Sequence, residues 1–358
     1  MQTNRKYGID LLKIFSIIGV IVLHIISTNT MLLSFPQNDY RFWIIYIVNI
    51  FFYCSVNVFA MVSGYLLYKK KSLNSYRVFE LLLTVTLYTI VFSLLAKYCF
   101  PIQSASIDSV FMNITNMPNS SYWYILSYLP ILIISPFINK LINVLTVKQH
   151  KQLCIILVLL FCVIQSFFDV DIFYVNNGYS FLWLLVCYII GAYICRENKK
   201  STKKSNYILI LFITILFLFT INFAIYKIAG KAILYLIKYN SPFYVILSVC
   251  LIFLLKDIDL SKSPKLIHNS IKNLSCVTID VYLIHCHCLF FDILMPKMYS
   301  WILNYNAFLL PLLIIGCAII LYLMLSVFGI IRIKLFELLK VNKLFKKITK
   351  DKFSYTIE

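Results

Sequence analysis

The sequence predicts an all-α polytopic membrane protein, a bundle of about ten transmembrane helices with both termini cytoplasmic, and three observations predict it. Hydrophobic residues make up 61% of the 358-residue chain and charged residues only 13%, with a mean hydropathy of +0.86. A soluble domain carries roughly 25% charged residues. Apolar runs approaching the length of about 20 residues that a bilayer requires recur along the whole chain. The cations, finally, are lopsided. With the N-terminus placed inside, all but six of the 33 Lys and Arg residues fall on cytoplasmic segments, the six being Arg41, Lys97, Lys227, Lys231, Lys238 and Lys297. That is the asymmetry of the positive-inside rule.

Taken in order, the apolar runs predict helices over 14–34, 43–67, 78–100, 123–145, 152–168, 179–195, 207–226, 243–255, 276–294 and 308–329. The run at 243–255 is short, and its helix is expected to extend upstream past Pro242. No small-residue cleavage site follows His24, so the first segment is expected to remain as an anchor. The longest outer loop, 101–122, holds no Lys or Arg and is polar, as a loop covering a site or touching a glycan is. Residues 1–331 form one membrane-embedded domain on this reading. Residues 332–358 form a basic cytoplasmic tail whose apolar positions (Leu335, Phe336, Leu338, Leu339, Leu344, Phe345) suit the anionic inner leaflet. The expected location is the cell membrane, with the lipid bilayer as the first partner.

Composition also excludes some functions. The net charge of +19 suggests nucleic acid, but the cations follow topology and no basic helix or aromatic RNA-binding signature lies outside the apolar segments. The 11 cysteines lie mostly in apolar helices with no Cys-x-x-Cys pair, so they read as apolar fillers rather than a disulfide framework. His285-Cys286-His287-Cys288 imitates a metal cluster. Consecutive helical residues point about 100° apart, so only His285 and Cys288 are expected to reach a shared ion, and no metal is assigned. Asp169-Val170-Asp171 and Asp257-Ile258-Asp259 imitate a DxD motif and are read as solvated turns.

The chemistry concentrates on the first helix. Eleven steps of about 100° are close to three turns, so Lys13 and His24 share a face about 16 Å apart, with Asp10 near Lys13 on that face. A histidine in a transmembrane segment normally faces the bundle interior and marks a pathway or a reaction. A hydrogen bond to a neighbouring helix is the plainer alternative.

Four stretches together resemble the acyltransferase family 3 proteins, integral membrane enzymes that O-acylate bacterial surface polysaccharides. Lys13-x10-His24, preceded by Gly8-Ile9-Asp10-Leu11-Leu12, is similar to the family's Arg/Lys-x10-His signature. Ser63-Gly64-Tyr65 resembles its Ser-Gly-aromatic ending of the second helix, and Trp123-Tyr124-Ile125-Leu126 its Trp-Tyr-Leu opening of a later one. Tyr282-Leu283-Ile284-His285 is similar to a Tyr-Leu-x-His near the end of the bundle. The chain departs from the pattern in carrying Lys13 where Arg is commoner, and Lys69-Lys70-Lys71 with a single Arg77 where paired arginines are usual.

The resemblance implies an O-acyltransferase, specifically an acetyl-CoA-dependent O-acetyltransferase, acting on a cell-envelope polysaccharide or its lipid-linked precursor. His24 would be the general base and Lys13 its electrostatic or positioning partner. Ser63, Gly64, Trp123, Tyr282 and His285 would bind substrate, and Lys69, Lys70, Lys71 and Arg77 the phosphates of acetyl-CoA. For Gly64, close helix packing is the favoured reading. His285 either orients His24 or the acceptor, or satisfies a local hydrogen bond. Two rival classes share the basic loops and buried polar residues: an exporter or flippase of a polyprenyl-linked glycan, and a membrane glycosyltransferase that would need an outer carboxylate such as Asp39.

Overall fold

In lipid every backbone N–H and C=O must be satisfied within the chain, so an apolar sequence of this kind becomes helix. The computed structural model describes residues 5–100, 122–168, 170–197, 203–231, 236–260, 263–349 and 356. Among the described residues there is no strand, only an isolated bridge between Ser72 and Thr356. Apart from single turns at Met31–Ser34 and Asn176–Gly178, the helices are α1 (Tyr7–Thr28), α2 (Tyr40–Phe52), α3 (Ser55–Leu67), α4 (Ser75–Cys99), α5 (Trp123–Val144), α6 (Val147–Val158, prolonged irregularly to Phe167), α7 (Phe181–Glu197), α8 (Lys204–Ala229), α9 (Pro242–Leu255), α10 (Lys265–Cys276) and α11 (Thr278–His285). An irregular helical stretch, Leu289–Asn304, then leads to α12 (Leu310–Leu338) and α13 (Val341–Thr349).

Among the described residues, seven helical segments are long and apolar enough to cross a membrane, α2 and α3 counting as one; the bent pair Thr278–His285 and Leu289–Asn304 brings the number to eight. α9 is apolar but has only 14 residues, and α7 has 17. Helices therefore stand at all ten expected positions, but not all meet the length for a crossing. The multi-pass, all-α membrane class holds. α8 and α12 leave Phe212, Ile213, Leu312, Ile320, Met324 and Phe328 exposed, as lipid-facing helices do.

Several boundaries differ from expectation, each for a local reason. α1 starts at Tyr7, not 14, because its polar residues find protein partners: Asp10 accepts from Arg5 Nε at 2.6 Å and from Ser275 Oγ at 2.9 Å. α6 starts at Val147 because Thr146 and Gln149 form a capping box. Pro242 opens α9 rather than lying within it, since Ser241 before it is extended. The run expected at 276–294 breaks after His285, and its halves bend by 61°.

The division expected at residue 332 falls inside the continuous α12. Arg332 is buried there. It donates to Asp280 from Nε at 2.8 Å and from a terminal nitrogen at 2.7 Å, and to Glu80 at 2.9 Å. Beyond the left-handed Lys340, α13 lays Phe345 on Phe79, ring centroids 4.6 Å apart. An amphipathic pattern reports an apolar partner but does not say whether that partner is lipid or α4. Asp280 is 1% exposed, so removing its charge leaves a guanidinium short of a partner in the interior. Asp280→Asn is expected to destabilise the fold by about 3–5 kcal/mol. Glu80→Gln, at a carboxylate one-third exposed, is expected to cost less than about 1 kcal/mol. Unfolding midpoints in detergent measure both; the reverse order would contradict the assignment.

α1 is the central helix, touching α2, α3, α9, α10, α11 and α12. The tightest pair is α3 with α7. A Cβ on Gly64 would lie 1.9 Å from the Tyr188 carbonyl oxygen, and one on Gly191 1.8 Å from that of Met61, so only hydrogen fits at either crossing. Two asparagines then fix the ends of α3. Asn57 donates to the Tyr239 carbonyl at 2.8 Å and accepts from Trp183 Nε1 at 2.9 Å. Asn139, on α5, donates to the carbonyls of Leu67 (2.8 Å) and Lys70 (2.9 Å) and accepts from the Tyr188 hydroxyl at 2.8 Å. Both amides are buried, and each satisfies orphan backbone carbonyls.

Candidate active site

The shared face of Lys13 and His24 holds, and it points at two different cavities. At the Lys13 end a basic pocket of about 600 Å³ is lined by Lys13, Ser63, Lys70, Arg77, Tyr128 and the Glu80–Asp280–Arg332 cluster, among others. Lys13, Lys70 and Arg77 have no ion-pair partner among the described residues, whereas Arg332 is matched by two carboxylates. Partial desolvation of the otherwise exposed Lys70 and the nearby Arg77 guanidinium lower its ammonium below the ordinary lysine range. Asn139 positions Lys70 through its carbonyl.

At the His24 end an aromatic pocket of about 620 Å³ is lined by His24, Ser27, Thr30, Asn49, Tyr53, Trp123, Tyr179, Tyr239, Cys286 and Phe291, with further aliphatic residues. Its rings are in mutual contact: Tyr53 and Tyr239 centroids lie 4.6 Å apart, Trp123 and Tyr179 4.7 Å, Tyr179 and Tyr239 4.8 Å. The loop carrying Tyr179 turns through Gly178 at φ +94°. A Cβ there would lie 2.4 Å from that of Tyr239, so the turn needs glycine on both counts. Asn57 anchors the Tyr239 backbone on the other side.

Between the two lies a slot of about 30 Å³ walled by Ile17, Val20, His24, Phe59, Trp123, Tyr124, Tyr239, Ile279 and Tyr282. It shares His24, Trp123 and Tyr239 with the aromatic pocket and Phe59 and Ile279 with the basic one. His24 therefore stands where the two cavities approach each other.

His285 is fully buried behind His24, ring centroids 5.1 Å apart, and its Nδ1 lies 2.6 Å from the Val281 carbonyl. A carbonyl only accepts, so Nδ1 carries the proton and Nε2 the lone pair. The local hydrogen bond is formed, and the ring also packs against that of His24. Cys286 Sγ lies 3.6 Å from that Nε2 and 3.9 Å from His24 Nδ1. His285 and Cys288, the two positions of that run spaced to reach a shared ion, do not converge: Cys288 Sγ faces His287 Nδ1 at 3.8 Å. The donor atoms that converge, within 4.8 Å, are those of His24, His285 and Cys286. The helical-wheel argument fails there because α11 ends at His285 and the third group comes from α1.

Of the other sequence-predicted residues, Trp123 walls the aromatic pocket and the slot, and Tyr282 the slot. Ser63 lines the basic pocket while its hydroxyl donates to the Phe59 carbonyl at 3.1 Å. Gly64 lines none of these three cavities and is accounted for by packing on α7. Lys69 and Lys71 are exposed and line none of them either. Asp39 caps α2 and pairs with Arg41 at 2.6 Å, whose hydrogen bonds hold its carboxyl below the usual range. Asp171 accepts the backbone N–H groups of Val175 and Asn176, a turn role as expected. Asp169 and most of the polar segment 101–122 lie outside the described residues. Sequence reasoning did not single out Tyr53, Tyr179, Tyr239, Asn49 or Arg332. Arg332 carried the one available signal, a cation inside an otherwise apolar run.

No curated protein and no solved structure matches the chain. The family model for the acyltransferase domain, that of acyltransferase family 3, matches residues 6–330, which include Lys13, His24, the aromatic pocket, the slot and the lining of the basic pocket apart from Arg332, and the chain therefore belongs to the acyltransferase family 3.

Proposed function

We propose that this membrane acyltransferase is an acetyl-CoA-dependent O-acetyltransferase acting on a hydroxyl of a cell-envelope polysaccharide or its lipid-linked precursor. The observation that carries the reading is the approach of a basic pocket and an aromatic pocket at His24 through a slot too narrow for either substrate. Lys13, Lys70 and Arg77 suit the phosphates of CoA. The distance of about 16 Å from Lys13 to His24 suits the pantetheine arm that separates those phosphates from the thioester. Stacked aromatic rings beside the Asn49 amide and the Ser27 and Thr30 hydroxyls suit a sugar, which offers apolar C–H faces and hydroxyls together.

The chemistry follows. The acceptor hydroxyl donates its proton to the His24 imidazole as its oxygen attacks the thioester carbonyl. The tetrahedral intermediate collapses, the C–S bond breaks, and the departing CoA sulfur takes the proton back from His24. Lys13 attracts the anionic donor and His285 packs behind the base. The positive-inside asymmetry supports a cytoplasmic basic pocket, both termini inside and ten crossings, with the aromatic pocket facing out. The cell membrane is the place for such an enzyme.

Detergent-purified protein given radiolabelled acetyl-CoA and envelope glycan is expected to label the glycan. Mass spectrometry should show one added acetyl group per modified hydroxyl. Trp123→Ala should raise the acceptor KM about tenfold, the scale of one aromatic contact, and leave the KM for acetyl-CoA unchanged. Glycan translocation with no consumption of acetyl-CoA would overturn the proposal in favour of a flippase. Asp39→Asn, which keeps the helix cap, should retain transfer; loss of it would favour a glycosyltransferase.

A further inference from the structure

The group formed by His24, His285 and Cys286 asks for an account that acyl transfer does not give, since the transfer uses one imidazole and no thiol. We infer that these three side chains form a binding site for monovalent copper. The geometry fits such an ion. A three-coordinate ion with metal–nitrogen bonds of about 2.0 Å and a metal–sulfur bond of about 2.3 Å places each nitrogen about 3.7 Å from the sulfur. The sulfur of Cys286 stands 3.6 Å from His285 Nε2 and 3.9 Å from His24 Nδ1. All donor atoms lie within 4.8 Å of one another, so only the imidazoles must draw together to close the set.

The orientation of the ligands fits second. A metal-binding histidine is usually held by a hydrogen bond from its other ring nitrogen, which fixes the tautomer and aims the lone pair. His285 has this arrangement: Nδ1–H is spent on the Val281 carbonyl, and Nε2 faces the thiol. The charge fits third. The group contains no carboxylate. Two neutral imidazoles and one thiolate around a monovalent ion sum to zero, whereas a divalent ion would leave a net positive charge in the bundle interior, where an uncompensated charge is costly. Thiolate and imidazole are also the soft donors that select Cu(I), and three ligands satisfy it where Zn²⁺ wants four.

Access comes from the aromatic pocket, whose wall includes both His24 and Cys286. On binding, the Cys286 S–H bond is exchanged for a Cu–S bond and one proton leaves to solvent. An ion held there occupies the lone pair of His24 and stops acyl transfer. That consequence rests on His24 being the base; the binding itself does not.

The test uses the full-length protein in detergent, anaerobically, with Cu(I) delivered from a chromophoric bicinchoninate complex. Wild type is expected to withdraw one equivalent of copper more than Cys286→Ser, with at least a hundredfold loss of affinity at that equivalent. Cys288→Ser and His287→Ala should match wild type. X-ray absorption should show a three-coordinate ion with two nitrogens and one sulfur. Equal copper uptake by wild type and Cys286→Ser would overturn the site, as would an all-sulfur copper shell. Zn²⁺ displacing Cu(I) at equal concentration would overturn the choice of ion. Cys286→Ser is nearly isosteric, and an unchanged unfolding midpoint shows that it folds; should it not fold, His285→Ala must show the same loss of one equivalent. Copper binding without inhibition would remove His24 from the base role and leave the site intact.

Discussion

Replacing His24 by asparagine is expected to lower acyl transfer by about 10²- to 10⁴-fold, the usual range for a general acid–base group. Asparagine keeps a polar side chain of similar reach, so a histidine present only for a hydrogen bond should be largely replaced by it. Among the described residues the His24 ring has one hydrogen-bonding contact, a long one of 3.9 Å between Nδ1 and the Cys286 thiol, beside the Phe291 ring at 4.9 Å and that of His285. His24→Ala should be as inactive as His24→Asn. Transfer rates measured at saturating acetyl-CoA and acceptor separate the cases. Near-wild-type rates in a well-folded His24→Asn variant would end the assignment of the base. Lys13→Arg should be tolerated, because an attraction to phosphate survives the exchange.

The second large effect is expected at the basic pocket, and it divides neighbours in sequence. Lys70→Glu and Arg77→Glu should each raise the KM for acetyl-CoA about 10- to 100-fold with kcat nearly unchanged, the signature of lost ground-state binding. Lys69→Glu and Lys71→Glu should leave it within about threefold, because those side chains, exposed like Lys70 and Arg77, do not line the basic pocket and would act on a bound anion only through screened solvent. Repulsion between Lys70 and Arg77 persists until an anion enters between them, which is a further reason for the pocket to bind phosphate. Equal effects at all four positions would mean that these cations serve membrane insertion instead.

How much of this was legible in the sequence follows from the physics of each feature. Apolar run length shows helices, since lipid leaves the backbone no other choice, so all ten helical positions were readable. It does not show where protein replaces lipid as the partner. That is why α1 begins at Tyr7, why Arg332 lies inside a helix, and why Phe345 rests on α4. Lys13 and His24 were legible because helical periodicity puts residues eleven positions apart on one face. Lys70 could not be told from Lys69 and Lys71, because the difference is made by Asn139, nearly seventy positions away. Tyr53, Tyr179 and Tyr239 come from three separate loops and turns, and only the closed fold stacks them. The His24–His285–Cys286 group likewise needs the break after α11, which periodicity has no means to announce.

The slot between the two pockets bears on the energy store of the cell as well as on catalysis. At about 30 Å³ it has room for about one water molecule, and its walls are aliphatic and aromatic apart from His24. On the proposed sidedness, with the basic pocket inside and the aromatic pocket outside, a single water in the slot cannot sustain a hydrated ion, and the membrane potential would not discharge through the enzyme while a substrate is awaited. An acyltransferase with a wide water-filled bore would work at the expense of the ion gradient across the same bilayer. Shaving Trp123 or Tyr282 to a small residue therefore touches the insulation of the membrane as well as the fit of a sugar, and cells making such a variant would meet it first as a loss of potential.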